Sequence, residues 1–247
     1  MMLLVDAGNS RVKWATLDGG RLTPGAACAN SDLEALRKTW TDLRPERALV
    51  ACVADEATRA RLEALLRASG AAVQWLRAAA QAHGVINPYQ PPESLGPDRY
   101  AALVAARRFA QDCVVVSVGT AMTADMLARD GRFLGGCIVP GPDLMRGALL
   151  RGTARVAAVT GEVTRFPLDT GGAVATGIAL ALAGVVHGMR ARLAEAGGDP
   201  VVLLTGGARG GLRPLLEGPV QEVEDLVLQG LACIAHRPSC PSGDAPA

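Results

Sequence analysis

Apolar residues recur along this chain at two spacings. Leu3, Leu4 and Val5 form a short run that breaks into Asp6, Ala7 and Gly8. Val12, Trp14, Ala15 and Leu17 then follow, nearly alternating, up to Asp18-Gly19-Gly20. This pattern predicts strand, tight turn, strand, closed by a hairpin. Residues 31–43 read as a helix, with Ser31 as N-cap and Leu33, Leu36 and Trp40 at helical spacing. Residues 47–53 form a buried-type strand, 55–69 an amphipathic helix stopped by Gly70, and 72–76 another short strand. Strands alternating with helices predict an α/β layer structure.

The same plan returns in the second half. An apolar run at Val114, Val115 and Val116 leads through Ser117 and Val118 to Gly119 and Thr120, and on to Asp130-Gly131-Arg132. Setting Val5-Asp6-Ala7-Gly8-Asn9 against Val116-Ser117-Val118-Gly119-Thr120 aligns the two glycines. Two hairpins of one design predict a duplicated fold, with halves at 1–110 and 111–237, a ligand cleft between them and a disordered tail at 238–247. The second half continues with a strand from Phe133 to a Pro140-Gly141 turn, a helix over 143–150 and a polar loop over 160–172. A long helix over 173–195 is apolar nearly all round in its first half, which marks either a buried core helix or a subunit interface. A buried strand over 201–204 enters Thr205-Gly206-Gly207-Ala208-Arg209, a turn small enough to pass a nucleotide's base or sugar. A last helix spans 225–234.

Composition narrows the classes. Of 247 residues, 49% are hydrophobic and 20% charged, which is globular rather than disordered. The charge balance, 25 Lys+Arg against 24 Asp+Glu, argues against a general nucleic-acid binder. The cysteines Cys28, Cys52, Cys113, Cys137, Cys233 and Cys240 are scattered without a CxxC pair, which suggests reduced thiols in the cytoplasm and no zinc site. Asp6 and Arg11 interrupt the N-terminal apolar run, so no signal peptide is expected. The longest apolar stretch, 173–186, is too short to span a bilayer, so no membrane association is expected.

Two stretches carry candidate chemistry. In the first, Gly8 lets a backbone approach a ligand, Asn9 and Ser10 add polar groups at the turn, and Arg11 and Lys13 add positive charge. An acid beside a phosphate repels it unless a cation lies between, so Asp6 points to a Mg-nucleotide site, with Asp6 facing the metal. The alternative is a plain hairpin with a solvated turn acid. In the second stretch, four prolines between Asn87 and Asp98 make an ordered loop that delivers Asp98, Arg99 and Tyr89 to one place ahead of a helix over 99–110. The alternative there is that Asp98 is simply the helix N-cap.

The chain resembles the type III pantothenate kinases, the CoaX type, of the acetate and sugar kinase/Hsc70/actin superfamily. The resemblance rests on Asp6 to Lys13, Asn87-Pro88-Tyr89, Leu95-Gly96-Pro97-Asp98-Arg99, Gly119-Thr120-Ala121-Met122-Thr123-Ala124-Asp125, Gly135 to Gly141 and Thr205-Gly206-Gly207, and covers the chain to about residue 234. It implies an α/β fold of two ribonuclease-H-like halves with ATP between them, phosphorylation of pantothenate in the first step of coenzyme A synthesis, and a homodimer. Carried over by position, Asp98 is the general base. Tyr89, Gly96, Pro97, Asp98, Arg99 and Thr170 form the substrate set. Asp6, Ala7, Gly8, Asn9, Ser10, Arg11, Val12 and Lys13, with Gly119 and Thr120, form the phosphate set, and Asp6 serves Mg²⁺. Ser117 stands where many members carry an acid that helps hold an activating K⁺ or NH₄⁺. A neutral oxygen there leaves weak binding, binding elsewhere and no requirement all open. A non-enzymatic regulator of the Bvg accessory factor type and a kinase with another small acceptor remain the alternatives.

Overall fold

The structure, a computed structural model, describes residues 1–153 and 160–236, so the expected tail at 238–247 lies outside the described residues. Contacts divide the chain into two compact units. The first runs from Met1 to Arg108 and also takes the last helix; the second is Phe109–Asp225.

The first unit is built on a sheet. Strands β1 (Met2–Ala7) and β2 (Arg11–Asp18) form the expected hairpin, extended by β3 (Arg21–Pro24) and, beside β2, the two-residue β4 (Cys28–Ala29). Helix α1 (Leu36–Leu43) crosses to β5 (Arg47–Cys52), and α2 (Glu56–Ala68) crosses to β6 (Ala72–Trp75). The strand order is β3-β2-β1-β5-β6. β1 lies between an antiparallel and a parallel neighbour, and Leu3, Leu4 and Val5 are all fully buried. A strand covered on both faces reads as an apolar run rather than an alternation. Trp14 and Trp40 meet edge to face at 6.1 Å in the core of this unit.

The local signals hold at α2, where the Asp55 carboxylate accepts the Thr58 N–H at 2.7 Å and Gly70 leaves the helix at φ +92°. They fail at residue 31. A 3₁₀ turn occupies Asn30–Ala35, Asp32 is non-helical, and the Ser31 hydroxyl donates to the Asp32 carboxylate instead of capping a helix. The helix proper starts at Leu36.

A two-stranded hairpin, β7 (Gln81–Ala82) and β8 (Val85–Ile86), precedes the proline loop. The loop ends in α3 (Pro97–Ala106), in which every residue from Arg99 to Ala106 is buried. The Tyr100 hydroxyl donates to the Ala82 carbonyl at 3.3 Å, tying the start of α3 to β7. Burial pushes its pKa up to about 12, so it remains a neutral donor.

The second unit repeats the sheet. β9 (Cys113–Val118), β10 (Ala121–Leu127) and β11 (Phe133–Pro140) form the meander, and β12 (Val201–Thr205) and β13 (Val220–Glu222) add in parallel, in the order β11-β10-β9-β12-β13. Between β11 and β12 lie α4 (Pro142–Gly152) and α5 (Thr170–Glu195). The polar loop therefore ends at Asp169, whose carboxylate caps α5 by accepting the Gly172 N–H at 2.8 Å. At 26 residues α5 is longer than its apolar run, and is long and apolar enough by composition to cross a membrane. Half of its most apolar window is buried, and Ile178, Leu182, Val186, Met189 and Leu193 pack into the unit's core.

The last helix, α6 (Leu226–His236), belongs with the first unit, where a boundary at 111–237 had placed it in the second. It packs on α3, β1 and β5. Gly230 lies against the Ala101 backbone so closely that a Cβ would collide with it.

Candidate active site

The turn after β1 is fixed by register and by one distant side chain. Asp6 pairs with Lys13 and Ala7 with Val12, so Gly8, Asn9 and Ser10 make the turn. The Gly8 N–H donates to the Arg11 carbonyl at 3.0 Å. Ala7 and Val12 point into the core, while Asn9, Ser10 and Arg11 are exposed and Asp6 and Lys13 half-buried. Sequence reasoning missed the residue that holds this turn. Asn30 donates from its side-chain amide to the Gly8 and Asn9 carbonyls, both at 3.0 Å, and its backbone N–H reaches the Ser10 carbonyl at 3.1 Å. A lone Asn before a helix carries no sign of a partner 22 residues upstream.

The second site group sits where the proline loop enters α3. Asn87 is buried and organises the loop: its amide donates to the Pro92 carbonyl at 2.9 Å, and its Oδ1 accepts the Tyr89 N–H at 3.2 Å. The cap position is Gly96, with Pro97 first in the helix and Asp98 second, so Asp98 is not the N-cap. A Cβ on residue 96 would sit 2.7 Å from Asp98 Oδ1, so glycine clears the space beside the carboxylate. Asp98 Oδ1 accepts the Arg99 N–H at 2.8 Å. Burial pushes the Asp98 carboxyl above the ordinary aspartate value, against the pull of the Arg99 amide and guanidinium. Arg99 is itself 8% exposed; it donates to the Tyr89 hydroxyl at 3.4 Å, and its guanidinium carbon stands 5.8 Å from that ring's centre. The structure thus brings Asp98, Arg99, Gly96 and Tyr89 together.

In the second unit, Gly119 and Thr120 form a shorter turn. Two neighbours pack onto it. Gly141 donates its N–H to the Thr120 carbonyl at 2.9 Å, and a Cβ there would collide with Gly119 O. Gly206, at φ +97°, lies against the Val118 backbone just as closely. Ser117 has Thr123 and Thr205 as its partners across the sheet, so three hydroxyl residues lie in one row. Thr170 opens α5 and lines an apolar groove of about 750 Å³ between α4 and α5, with Met145, Leu149 and Ile178.

Among the described residues no three acids, histidines or cysteines cluster as a metal cage. A Mg²⁺ that arrives with a nucleotide needs only one or two carboxylates, the rest of its shell being phosphate and water. Asp6, one half-buried acid at the end of a strand that leads into a polar turn, fits that demand.

The family model for type III pantothenate kinase matches residues 2–192. A type III pantothenate kinase from Nitrosospira multiformis is 40% identical over 97% of this chain and 92% of its own length. One from Thiobacillus denitrificans is 43% identical over 95% of this chain and 96% of its own. Among solved structures, a protein from Campylobacter jejuni described as a Baf family transcriptional activator superposes with a TM-score of 0.59 at 20% identity, covering 95% of this chain and 98% of that one. The activator of 2-hydroxyisocaproyl-CoA dehydratase from Clostridium difficile, solved with ADPNP, gives 0.52 at 12% identity, covering 94% and 91%. These two likenesses show the fold alone, that of the actin-like ATPases and sugar kinases. The close relatives and the family model show more: the chain belongs to the type III pantothenate kinase family.

Proposed function

We propose that Asp98 is the base of this kinase, that the loop from Asp6 to Lys13 with Gly119 and Thr120 holds the phosphates of ATP, and that Asp6 serves Mg²⁺. The reaction is phosphoryl transfer from ATP to pantothenate, the first step of coenzyme A synthesis, and family membership carries it. It also favours the enzyme over a non-enzymatic transcription factor.

The observation behind the base is the setting of Asp98, a carboxylate that accepts the Arg99 backbone N–H, cleared of a side chain at residue 96 and raised in pKa by burial. Phosphoryl transfer asks the protein mainly for positioning and charge neutralisation. On this reading the free oxygen of the Asp98 carboxylate accepts the proton of pantothenate's primary hydroxyl as the O–P bond forms. Arg99 supplies positive charge suited to an anionic substrate, and Tyr89 with Pro97 shapes the approach. Bound Mg²⁺ supplies neutralisation of phosphate charge. Thr170 is a further substrate contact.

Two finer readings go with this. The Thr123-Ser117-Thr205 row offers hydroxyls where an acid would grip a monovalent cation, so activation by K⁺ or NH₄⁺ is weak. The active species is a homodimer in the cytoplasm. The groove between α4 and α5 is apolar, and Leu168 and Leu180, close in sequence to its residues Thr170 and Ala181, are 95% and 58% exposed; a second copy covers such a face. The test is an ADP-release assay with pantothenate and Mg-ATP, run in K⁺ and in Tris or Na⁺. Pantothenate-dependent turnover with little K⁺ dependence is expected. Folded protein without turnover in any salt would overturn the reading, and strong K⁺ dependence would overturn the cation part alone.

A further inference from the structure

Three of the polar contacts that hold the turn after β1 come from one residue outside it. Three successive carbonyls, those of Gly8, Asn9 and Ser10, accept hydrogen bonds from Asn30, two from the side-chain amide and one from the backbone N–H. In a trans peptide the C=O and the following N–H point in opposite directions. Tying these three carbonyls to Asn30 therefore turns the N–H groups of Asn9, Ser10 and Arg11 away from it, on one side of the turn. Successive N–H groups presented together make an anion-binding concavity.

Asn30 is itself held. Arg61, on α2, donates from Nη1 to the Asn30 carbonyl at 3.1 Å and from Nη2 to the Ser31 carbonyl at 3.3 Å. Asn30 Oδ1 is buried and has no hydrogen-bond partner among the described residues, so the side chain's polar contacts lie on its donor side. Both amide protons go to the turn, which fixes the orientation of the amide, because two carbonyl acceptors require the NH₂ group.

We infer that Asn30, braced by Arg61, is a positioning residue for the phosphate loop: it sets three backbone N–H groups to receive the phosphates of ATP. This rests on the reading of the Asp6–Lys13 loop as a phosphate site. Neither Asn30 nor Arg61 needs to touch the nucleotide. A carboxylate at 30 cannot donate and would set acceptor against acceptor. A leucine or alanine would release the turn.

The test measures binding and local exchange rather than turnover. Mg-ATP and pantothenate affinities are titrated calorimetrically for the unaltered chain, Asn30→Ala, Asn30→Asp, Arg61→Ala and Asp6→Ala, and amide exchange is followed at residues 9–11. Asn30→Ala is expected to weaken Mg-ATP roughly 5–30-fold, the free energy of a pair of neutral hydrogen bonds coupled to the order of the loop, with pantothenate affinity nearly unchanged, a modestly lowered melting temperature and faster exchange at 9–11. Asn30→Asp should lose more and Arg61→Ala less, in the same direction. If Asp6→Ala weakens Mg-ATP while the Asn30 and Arg61 variants do not, the positioning role is wrong and the phosphate loop stands. If none of them weakens it, the loop reading fails too. Equal losses of both ligands with a lowered melting temperature would make Asn30 merely structural and overturn the inference. Should Asn30→Ala not fold, Asn30→Ser and Arg61→Ala decide it by the same readouts.

Discussion

The two units share one strand order and differ in how each holds the turn after its first strand. In the first, Gly8-Asn9-Ser10 is secured by the polar side chain of Asn30. In the second, Gly119-Thr120 is secured by Gly141, whose N–H donates to the Thr120 carbonyl, while Gly206 packs on Val118 just before the turn, both so closely that neither has room for a Cβ. The duplicated scaffold thus leans on a side chain for one loop and on closely packed main chain for the other. Hydrogen bonds can be weakened one atom at a time. Backbone contact through glycine is all or nothing, because any added carbon displaces main chain. The units differ again after their fourth strand in sheet order: the first crosses through α2, the second through two short 3₁₀ turns, Arg209–Gly211 and Arg213–Leu215. There Arg209 substitutes for helical packing, pairing with Glu222 and Glu224 at 3.0 Å each and donating to the Gly206 carbonyl.

The comparison breaks most severely at Asp98. Asp98→Asn should leave the fold and Mg-ATP binding intact and cut turnover on the order of 10²–10⁴-fold, the range for a general base. Near-normal turnover would remove Asp98 from the mechanism. Its pH profile carries a sign. The base acts ionised, and burial raises its pKa, so kcat/KM should fall off on acidification at a higher pH than an ordinary aspartate gives. Next in size is Gly206→Ala, which combines strain at positive φ with overpacking and should cost roughly 2–4 kcal/mol in chemical denaturation. The contrast is sharpened by Gly8→Ala and Gly119→Ala, where a Cβ would meet its nearest atoms at 3.5 and 3.7 Å. These should unfold within about 1 kcal/mol of the parent. The smallest effect is Asp55→Ala. The Thr58 N–H holds the Asp55 pKa below its usual value, so the cap's stabilisation is present above the unfolded-state pKa and fades as pH falls through the lowered one. Melting curves at neutral and acid pH should converge for parent and variant.

Most of the architecture was legible because the central strands are extreme. Leu3-Leu4-Val5 and Val114-Val115-Val116 are buried on both faces, and each runs into a glycine turn. Asp55 and Gly70 announce α2 by chemistry local to the helix. What escaped reading depends on distant parts of the chain. β4, β7 and β8 are two residues each and exist only as partners of other segments. Ser31 looks like a cap, but the chain there is bent into a 3₁₀ turn by the ties of Asn30 to the first hairpin. The Asp98 loop was readable from its prolines and its acid. The clearing at Gly96 was not, because a glycine before proline has many uses. The role of Asn30 left no trace in the sequence around it.

The placement of α6 has a consequence for synthesis. The ribosome delivers residues 226–236 after all of the second unit, yet they complete the first. Until they emerge, the flank of α3 that Gly230 will meet at Ala101 lacks α6, and β1 and β5 lack one of their packing partners. The nascent chain must therefore carry an unfinished first unit through the translation of the whole second one. A message truncated before Leu226 would encode all of the second unit but leave the first incomplete and exposed to chaperones and proteases, so a C-terminal lesion would strike the half that holds Asp98.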